Sequence, residues 1–319
     1  MKKKVFVDGG SGTTGLKIHE RLSLYNEIEL LSIDYDKRRD PKERSKYMNE
    51  ADLVFLCLPD DAARQAVTLI DNPDTKVIDA SSAHRTKEGW TYGLPELSKS
   101  HREAIANSKR VSNPGCHASA FILSLYPLIY KGVMPKDLPV TCQSLTGYSG
   151  GGKKMIENYL MEEDDNPYTN GPRPYGLSLD HKHLPEMKVH SGLYTDPVFI
   201  PVICNVNQGL AVTIPIHMNL LSQKIRPSAI HEVIKDHYKG ENFVKVMPYQ
   251  EEEVLLDGGI PITACNDTNR AEIFVYGNDD KESALIITRL DNLGKGASGA
   301  AIQNMNIMLG FEEGLHLIG

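Results

Sequence analysis

The chain has 319 residues, about twice the length of a typical single domain, so two domains are expected. Hydrophobic residues make up 40% and charged residues 24%, which excludes a disordered, collagenous or coiled-coil description of the whole chain. The formal net charge of −7 argues against a general nucleic-acid-binding protein, because such proteins present a basic face.

Neither a membrane protein nor an exported one is expected. No segment approaches the ~20 apolar residues that span a bilayer. The apolar stretch after the N-terminal lysines is only Val5–Val7, which is too short for a signal peptide. The five cysteines are scattered and none forms a CxxC pair, so a disulfide framework and a structural zinc site are both disfavoured. A cytoplasmic protein is therefore predicted.

The first third of the chain alternates predicted strands with predicted helices. The strands are Val5–Asp8, Ile28–Ile33, Leu53–Leu58 and Val77–Asp79. One helix is predicted over about Leu16–Tyr25 and another begins at Asp60, while Asp34–Lys46 is a charged stretch. Alternation on short connections predicts an α/β fold, namely a Rossmann-like doubly wound parallel sheet.

Beyond about residue 117 the pattern changes. Helices are predicted over His117–Tyr130, Ser228–Tyr238 and Ala297–Leu309. Strands are predicted over Val140–Leu145, Val198–Val206, Gln208–Ile216 and Arg270–Tyr276. This mixture predicts a second, α+β domain built on a largely antiparallel sheet. We place it at 118–291, with the first domain comprising 1–117 and about 292–319.

Three glycines spaced three apart follow the first strand and open the first helix. Glycine here lets the backbone turn tightly and approach a pyrophosphate, which the helix N-terminus also attracts. The spacing is GxxGxxG rather than the commoner GxGxxG, and a structural turn is the alternative. The predicted cofactor contacts are Gly9, Ser11, Gly12, Thr13, Thr14 and Gly15.

The residues after the second strand bear on which dinucleotide binds. Asp34 stands near the place of the acidic residue in NAD-specific sites. The cationic run Lys37–Arg39 suits the additional 2′-phosphate of NADP, since guanidinium groups meet phosphate as bidentate donors. NADP is favoured, with Arg38 as its contact. The alternative is that this run only solvates a loop.

The turn Ser112–Gly115 places Cys116 at the start of an apolar helix. A helix N-terminus favours the thiolate, which is the nucleophilic form. The other cysteines, in apolar strand-like surroundings, are interpreted as small buried side chains: Cys57, Cys142, Cys204 and Cys265. A thiolate together with a nicotinamide site indicates capture of an activated acyl group as a thioester, followed by reduction to an aldehyde.

The segment Ser-Asn-Pro-Gly-Cys, combined with the N-terminal glycine loop, resembles the N-acetyl-gamma-glutamyl-phosphate reductases, which are relatives of aspartate-semialdehyde dehydrogenase. The likeness runs over nearly the whole chain, through Asp79–Arg85, Tyr92–Leu97, Gly147–Lys154, His181–Glu186 and Asn292–Ala297. One position departs from the family pattern. His117 stands where the family usually has Tyr or Phe.

The resemblance implies NADPH-dependent conversion of N-acetyl-L-glutamyl 5-phosphate to the 5-semialdehyde in arginine biosynthesis, through a Cys116 thioester. It implies that His181 is the acid/base and Glu186 its polar support, with His183 as the alternative base. It also implies a first domain that binds NADP, a second domain for catalysis and dimerisation, and a homodimer or homotetramer.

Further binding residues are expected from the same likeness. Arg85 is the candidate for gripping the acyl phosphate, because it follows a strand end, with an exposed ion-pairing role as the alternative. Asn113 and His183 are further substrate contacts. Two loops are expected to present groups to the cofactor, through Ser149, Gly150, Gly294 and Lys295.

Several alternatives remain open at this point. Aspartate-semialdehyde dehydrogenase or an aminoadipyl-phosphate reductase would use the same cysteine chemistry. An NADP-sensing regulator without turnover, or a non-catalytic interaction protein, belongs to another class. The His181, His183 and Glu186 group could also bind a metal, but no cysteine or histidine partner lies at zinc spacing. No metal is expected.

Overall fold

The computed structural model describes residues 2–10, 12–161 and 166–319. Ser11, a predicted cofactor contact, lies outside the described residues. The chain divides into two compact units, Met1–Pro114 with Ala297–Ile318, and Gly115–Gly296 with Gly319. In the described part of the chain, no helix is long and apolar enough to cross a membrane.

The strands and helices are numbered here in chain order. The strands are β1 Lys3–Asp8, β2 Ile28–Leu31, β3 Leu53–Leu56, β4 Lys76–Asp79, β5 Thr91–Tyr92, β6 Arg110–Ser112, β7 Thr141–Gly147, β8 Arg173–Pro174, β9 Val198–Cys204, β10 Leu210–His217, β11 Val244–Val246, β12 Ala271–Asn278 and β13 Ser283–Leu290. The α-helices are α1 Thr13–Leu22, α2 Pro41–Glu50, α3 Asp60–Val67, α4 Lys99–Asn107, α5 Cys116–Tyr130, α6 Lys153–Tyr159, α7 Leu184–Ser191, α8 Pro227–His237 and α9 Gly299–Leu309. A π-helix, Gly294–Ser298, leads into α9.

The first unit is a parallel sheet covered on both faces. Within the described residues its strand order is β2-β1-β3-β4-β6-β5, and each pair is parallel. Side chains alternate along β1, so Val5 and Val7 join one core while Phe6 joins the other. Helices α1, α4 and α9 contribute to the first core, and α2 and α3 to the second. The predicted doubly wound α/β sheet is confirmed.

Helix α2 overlaps the segment Asp34–Lys46, for which the sequence indicated only a run of charged residues. Its sole buried residue is Met48, so it carries no apolar periodicity. The residues that favour a helix here are at its N-terminal end. Asp40 accepts a hydrogen bond from the Lys42 N–H at 2.8 Å, and Pro41 occupies the first position.

The second unit is built on a seven-stranded sheet, counted over the described residues, in the order β11-β12-β13-β10-β7-β9-β8. The pairs β11–β12 and β7–β9 are parallel and the remaining pairs are antiparallel. The α+β prediction is therefore confirmed. Helix α5, buried along almost its whole length, packs against β10 and β13 on one face of this sheet.

Candidate active site

Cys116 is the first residue of α5, with Gly115 as the helix cap. Its exposure is intermediate, whereas the residues that follow it in the helix are buried. The Gly115 N–H donates to Glu186 Oε2 at 3.1 Å, so α7 holds the start of α5 in place. The partial positive charge at a helix N-terminus stabilises a thiolate at this position.

The other cysteines are poorly suited to nucleophilic work. Burial raises the pKa of the Cys57 and Cys142 thiols to about 12 and that of Cys265 to about 11. It also raises the pKa of Cys204. At neutral pH these four thiols stay protonated, and a protonated thiol is a weak nucleophile.

The two candidate histidines lie in the turn that precedes α7. Their ring centroids are 4.8 Å apart, and the His183 N–H donates to His181 Nδ1 at 3.2 Å. Both rings also lie within 6 Å of the ring of His117, at 5.6 and 5.4 Å between centroids. Glu186, expected to support His181, lies beside His183, with Oε1 3.9 Å from Nε2.

His117 is a site residue that sequence reasoning recorded only as a departure from the family pattern. Its Nδ1 lies 2.7 Å from Ser144 Oγ and its Nε2 lies 3.1 Å from Tyr175 Oη. Burial, followed by the charges of His181 and Lys182, lowers the pKa of His117 to about 3. The imidazole is therefore neutral at physiological pH. The one sequence feature that could have indicated this role is the histidine itself, at a position where the family usually has Tyr or Phe.

Among the described residues, Cys116, His117 and His183 form a group with the donor types of a metal site. Their sulfur and ring nitrogen atoms lie within 4.8 Å of one another. Both nitrogens of His117 already have hydrogen-bonding partners, in Ser144 and Tyr175. A cation would have to displace one of these partners, so the arrangement suits proton handling better than metal binding.

Two loops of the second unit meet through Asn292. Its Nδ2 donates to Ser149 Oγ at 3.0 Å, and its Oδ1 accepts from the Gly209 N–H at 2.8 Å. Ser149 is buried, whereas the neighbouring Gly150 is exposed. The predicted cofactor contact at this loop is thus open to a ligand at Gly150.

The loop that contains Gly294 and Lys295 is buried. A Cβ at Gly294 would lie 2.1 Å from the Thr268 carbonyl oxygen, so only glycine fits there. Lys295 has no exposed surface, and its Nζ lies 5.8 Å from the ring centroid of Phe243. This loop was predicted to contact the cofactor through its backbone amides, and in this conformation Lys295 has no surface open to a ligand.

The glycine loop of the first unit has no room for side chains at two of its glycines. Gly9 has φ +88°, and a Cβ there would lie 2.3 Å from the Cys57 carbonyl oxygen. A Cβ at Gly15 would lie 2.7 Å from the Gly9 carbonyl oxygen. Gly12 caps α1, where a Cβ would lie 3.9 Å from the nearest atom, and Thr13 and Thr14 begin the helix. A loop that excludes side chains and ends in a helix N-terminus fits a pyrophosphate.

Arg38 is held in an ordered position after β2. Its guanidinium carbon lies 3.3 Å from the ring centroid of Tyr35, and Nη1 donates to the Tyr35 carbonyl oxygen. Lys37 lies 3.6 Å from Asp34 in an exposed ion pair. The cationic run is thus partly organised around Tyr35.

A second arginine lies at this end of the sheet, and no sequence motif indicated its role. Arg44 of α2 donates to both carboxylate oxygens of Asp8, at 2.6 and 3.2 Å. Asp8 ends β1 and directly precedes Gly9. Burial raises the pKa of Asp8 and outweighs the opposing effect of Arg44. The pair connects α2 to the start of the glycine loop.

Arg85 and Asn113, both predicted substrate contacts, lie in the first unit. Arg85 is buried rather than exposed. Its Nε donates to the Asn113 carbonyl oxygen at 2.9 Å and its Nη2 to the Ala80 carbonyl oxygen at 3.3 Å. The Asn113 side chain donates to the Ala297 carbonyl oxygen at 2.9 Å. Arg85 thus fixes the backbone three residues before Cys116 in sequence.

Comparison with known proteins assigns both parts of the chain to one family. Residues 4–108 match the semialdehyde dehydrogenase NAD binding domain, and residues 116–292 match the semialdehyde dehydrogenase dimerisation domain. In fold, the chain is similar to aspartate semialdehyde dehydrogenase from Francisella tularensis, with a TM-score of 0.72 at 16% identity, over 97% of this chain and 100% of that one.

Relatives that match over their full length identify the family more narrowly. The chain is 47% identical to N-acetyl-gamma-glutamyl-phosphate reductase 2 of a Nostoc species, over 99% of each chain. It is also 47% identical to N-acetyl-gamma-glutamyl-phosphate reductase of a Chelativorans species, over 97% of this chain and 99% of the relative. The resemblance carried by the motifs is confirmed. The chain belongs to the N-acetyl-gamma-glutamyl-phosphate reductase family.

Proposed function

We propose that the chain reduces N-acetyl-L-glutamyl 5-phosphate to N-acetyl-L-glutamate 5-semialdehyde with NADPH and releases phosphate, in arginine biosynthesis. The names of its relatives support this reaction. The observation that carries it is the position of Cys116, which begins α5 beside a group of three histidines. The five cysteines, none of them in a disulfide, fit a reducing cytoplasm.

In the first step the Cys116 thiolate attacks the acyl carbon of the substrate. A carbon–sulfur bond forms, the carbon–oxygen bond to phosphate breaks, and a thioester remains on the enzyme. The N-terminus of α5 stabilises the attacking thiolate. Forming a covalent intermediate divides one difficult reduction into two easier steps.

In the second step the thioester is reduced to a thiohemiacetal on Cys116, which collapses to the aldehyde. His181 is the proposed acid/base that donates a proton to the developing oxygen and removes it on collapse. The His183 N–H donates to His181 Nδ1 and orients the ring. Nε2 is the atom proposed to exchange the proton. Glu186 supports this machinery by holding Gly115 and standing beside His183.

A nicotinamide cofactor would supply the hydride for this step. Its pyrophosphate would lie on the glycine loop, where Gly9 and Gly15 admit no side chain and Gly12 caps α1. Thr13 and Thr14 begin the helix there and would add hydroxyl contacts. Backbone amides of a second set of residues are proposed as further contacts: Ser149, Gly150, Gly294 and Lys295. Gly150 is already exposed, whereas the buried Lys295 would reach the cofactor only if its loop rearranges on binding.

NADP is proposed as the cofactor because of the cationic run around Arg38. The stacked Arg38 guanidinium is preorganised to pair with a 2′-phosphate. In Arg38→Ala the Kd for NADP should rise about tenfold while that for NAD stays unchanged. Arg64→Ala, at an exposed arginine of α3 outside the cationic run, is the control. Equal losses for both cofactors in Arg38→Ala would refute the assignment.

Arg85, Asn113 and His183 are proposed to bind the substrate. Arg85 is a delocalised cation suited to an acyl phosphate, and its bonds to two carbonyl oxygens fix its orientation. His183 is buried beside Glu186 and lies next to the proposed base. His183, which lies in the same unit as Cys116, would orient the substrate carbonyl for attack.

A homodimer or homotetramer is proposed through the exposed part of one face of the seven-stranded sheet, on β7 and β9. On that face Ile200 pairs in register with Gln143, which pairs with Thr213. Ile200 and Gln143 are exposed, and Val198 on the same face is 50% exposed. An exposed sheet face that carries apolar side chains such as Val198 and Ile200 is a suitable subunit interface. Ile200→Asp should therefore lower the molecular mass measured by sedimentation equilibrium. Leu24→Asp, at an exposed leucine of the first unit, should leave that mass unchanged.

The function is tested most directly in reverse, with N-acetyl-glutamate semialdehyde, phosphate and NADP, by following the absorbance of the reduced cofactor. Phosphate-dependent reduction is expected with this substrate and not with aspartate semialdehyde. Activity with aspartate semialdehyde alone would retain the cysteine chemistry and overturn the substrate. Binding of NADP without turnover of either aldehyde would favour a sensor.

A further inference from the structure

His117 lies between two hydroxyl groups, one buried and one partly buried, in a hydrogen-bonded network that the reaction scheme does not use. Ser144 on β7 has no exposed surface, and its Oγ lies 2.7 Å from His117 Nδ1. On the other side of the ring, Tyr175 Oη lies 3.1 Å from Nε2. Because His117 directly follows Cys116 in the sequence, this hydrogen-bonded network lies next to the nucleophile.

The sheet fixes both partners of His117. Ser144 pairs with Pro201 on β9, and the Tyr175 N–H donates to the Pro201 carbonyl oxygen at 3.0 Å. The two hydroxyls are therefore anchored to the same point of the sheet. A side chain held from both sides by anchored groups has a defined orientation.

His117 is suited to positioning rather than to proton transfer. Burial keeps its imidazole neutral, with a pKa of about 3, so it does not titrate near neutrality. A neutral imidazole has one N–H and one acceptor nitrogen. When Ser144 donates to Nδ1, the Nε2–H donates to Tyr175 Oη, and the tyrosine proton is left for a further acceptor.

The acceptor that we assign to this proton is the Cys116 sulfur. The Cys116 sulfur lies within 4.8 Å of a ring nitrogen of His117. Burial and then the charge of Cys116 raise the pKa of the Tyr175 hydroxyl, so Tyr175 remains a proton donor at neutral pH. A hydroxyl that donates to a thiolate stabilises the charged form.

We propose that His117 is a positioning residue: fixed by Ser144, its imidazole holds the Tyr175 hydroxyl so that it donates to the Cys116 sulfur. Its effect on turnover rests on the proposed function. Its effect on the thiolate does not, because the thiolate can be measured in the enzyme alone. The histidine after the cysteine thus stands where it can act through Tyr175 on the nucleophile.

The test is the pH dependence of Cys116 alkylation by iodoacetamide, without substrate or cofactor. In Tyr175→Phe the thiolate loses a donor, so the apparent pKa of Cys116 should rise by about one unit. His117→Phe should cause the same rise, and the double variant no further rise. His117→Gln, whose amide can still donate, should recover part of the effect. Tyr194→Phe, an exposed tyrosine, is the matched control.

Two results would overturn the proposal. One is an unshifted alkylation profile in both Tyr175→Phe and His117→Phe variants that keep the wild-type circular dichroism. The other is additive shifts in the double variant, which would mean that His117 does not act through Tyr175. If the semialdehyde assay fails while the alkylation profiles shift as expected, the proposed reaction is wrong and the positioning role stands.

Discussion

Gly296 lies directly against the nucleophile: a Cβ at this glycine would stand 2.6 Å from Cys116 Cβ. The loop that carries it is held to Asp291, whose carbonyl oxygen accepts from the Gly296 N–H at 2.9 Å. The absence of a side chain at Gly296 therefore sets the position of the thiol. Glycine is needed here for close approach.

Replacing Gly296 by alanine should displace Cys116. A misplacement of about 1 Å at a reacting atom can lower kcat about 100-fold. We expect a loss of this size, with about 1–3 kcal/mol lost from the free energy of unfolding through overpacking. Steady-state kinetics and urea unfolding measure the two effects. Gly259→Ala, where a Cβ would lie 3.4 Å from the nearest atom, is the control. Wild-type kcat in Gly296→Ala would contradict the assignment.

Cys116 should be the thiol that alkylates at neutral pH. Burial raises the pKa of each of the other four cysteines, so iodoacetamide should label one equivalent, which peptide mapping places on Cys116. Cys116→Ser should lower turnover by about 10³-fold or more while cofactor binding is retained. Cys204→Ser is the control. Near-normal turnover in Cys116→Ser would exclude the covalent scheme.

The two histidines before α7 should differ in their kinetic effects. His181→Gln removes the proposed acid/base, so kcat should fall by about 10²–10⁴-fold and the corresponding limb of the pH–rate profile should disappear. His183→Gln should mainly raise KM, because this residue is proposed to contact the substrate. His217→Gln, an exposed histidine, is the control. A pH limb lost only in His183→Gln would reverse the two roles.

Two glycines of the cofactor loop allow protein packing to be separated from ligand contact. Gly15→Ala places a Cβ 2.7 Å from the Gly9 carbonyl oxygen, so the loop must shift, and both stability and cofactor affinity should fall. At Gly12 the nearest atom to an added Cβ is 3.9 Å away, so the protein accommodates it. Gly12→Ala should weaken cofactor binding about tenfold with little change in melting temperature. Unchanged NADPH affinity in both variants, measured by fluorescence, would exclude binding at this loop.

The sequence was sufficient where the determining residues are neighbours. The strand Lys3–Asp8, the glycine loop and the start of α1 are contiguous, so their spacing predicts a dinucleotide cradle without reference to the rest of the chain. Cys116 at the start of α5 follows from the turn-forming residues just before it. Helix α2 lacked apolar periodicity, because it buries only Met48, and was not predicted.

Only the tertiary structure decided which distant residues meet. Ser144 and Tyr175 lie 27 and 58 residues from His117, and strand register and the packing of α5 bring them to its two ring nitrogens. The burial of Arg85 and Lys295 and the contact of Gly296 with Cys116 have the same origin. Local patterns record the periodicity of one element, whereas such contacts depend on how several elements pack, which no single segment encodes.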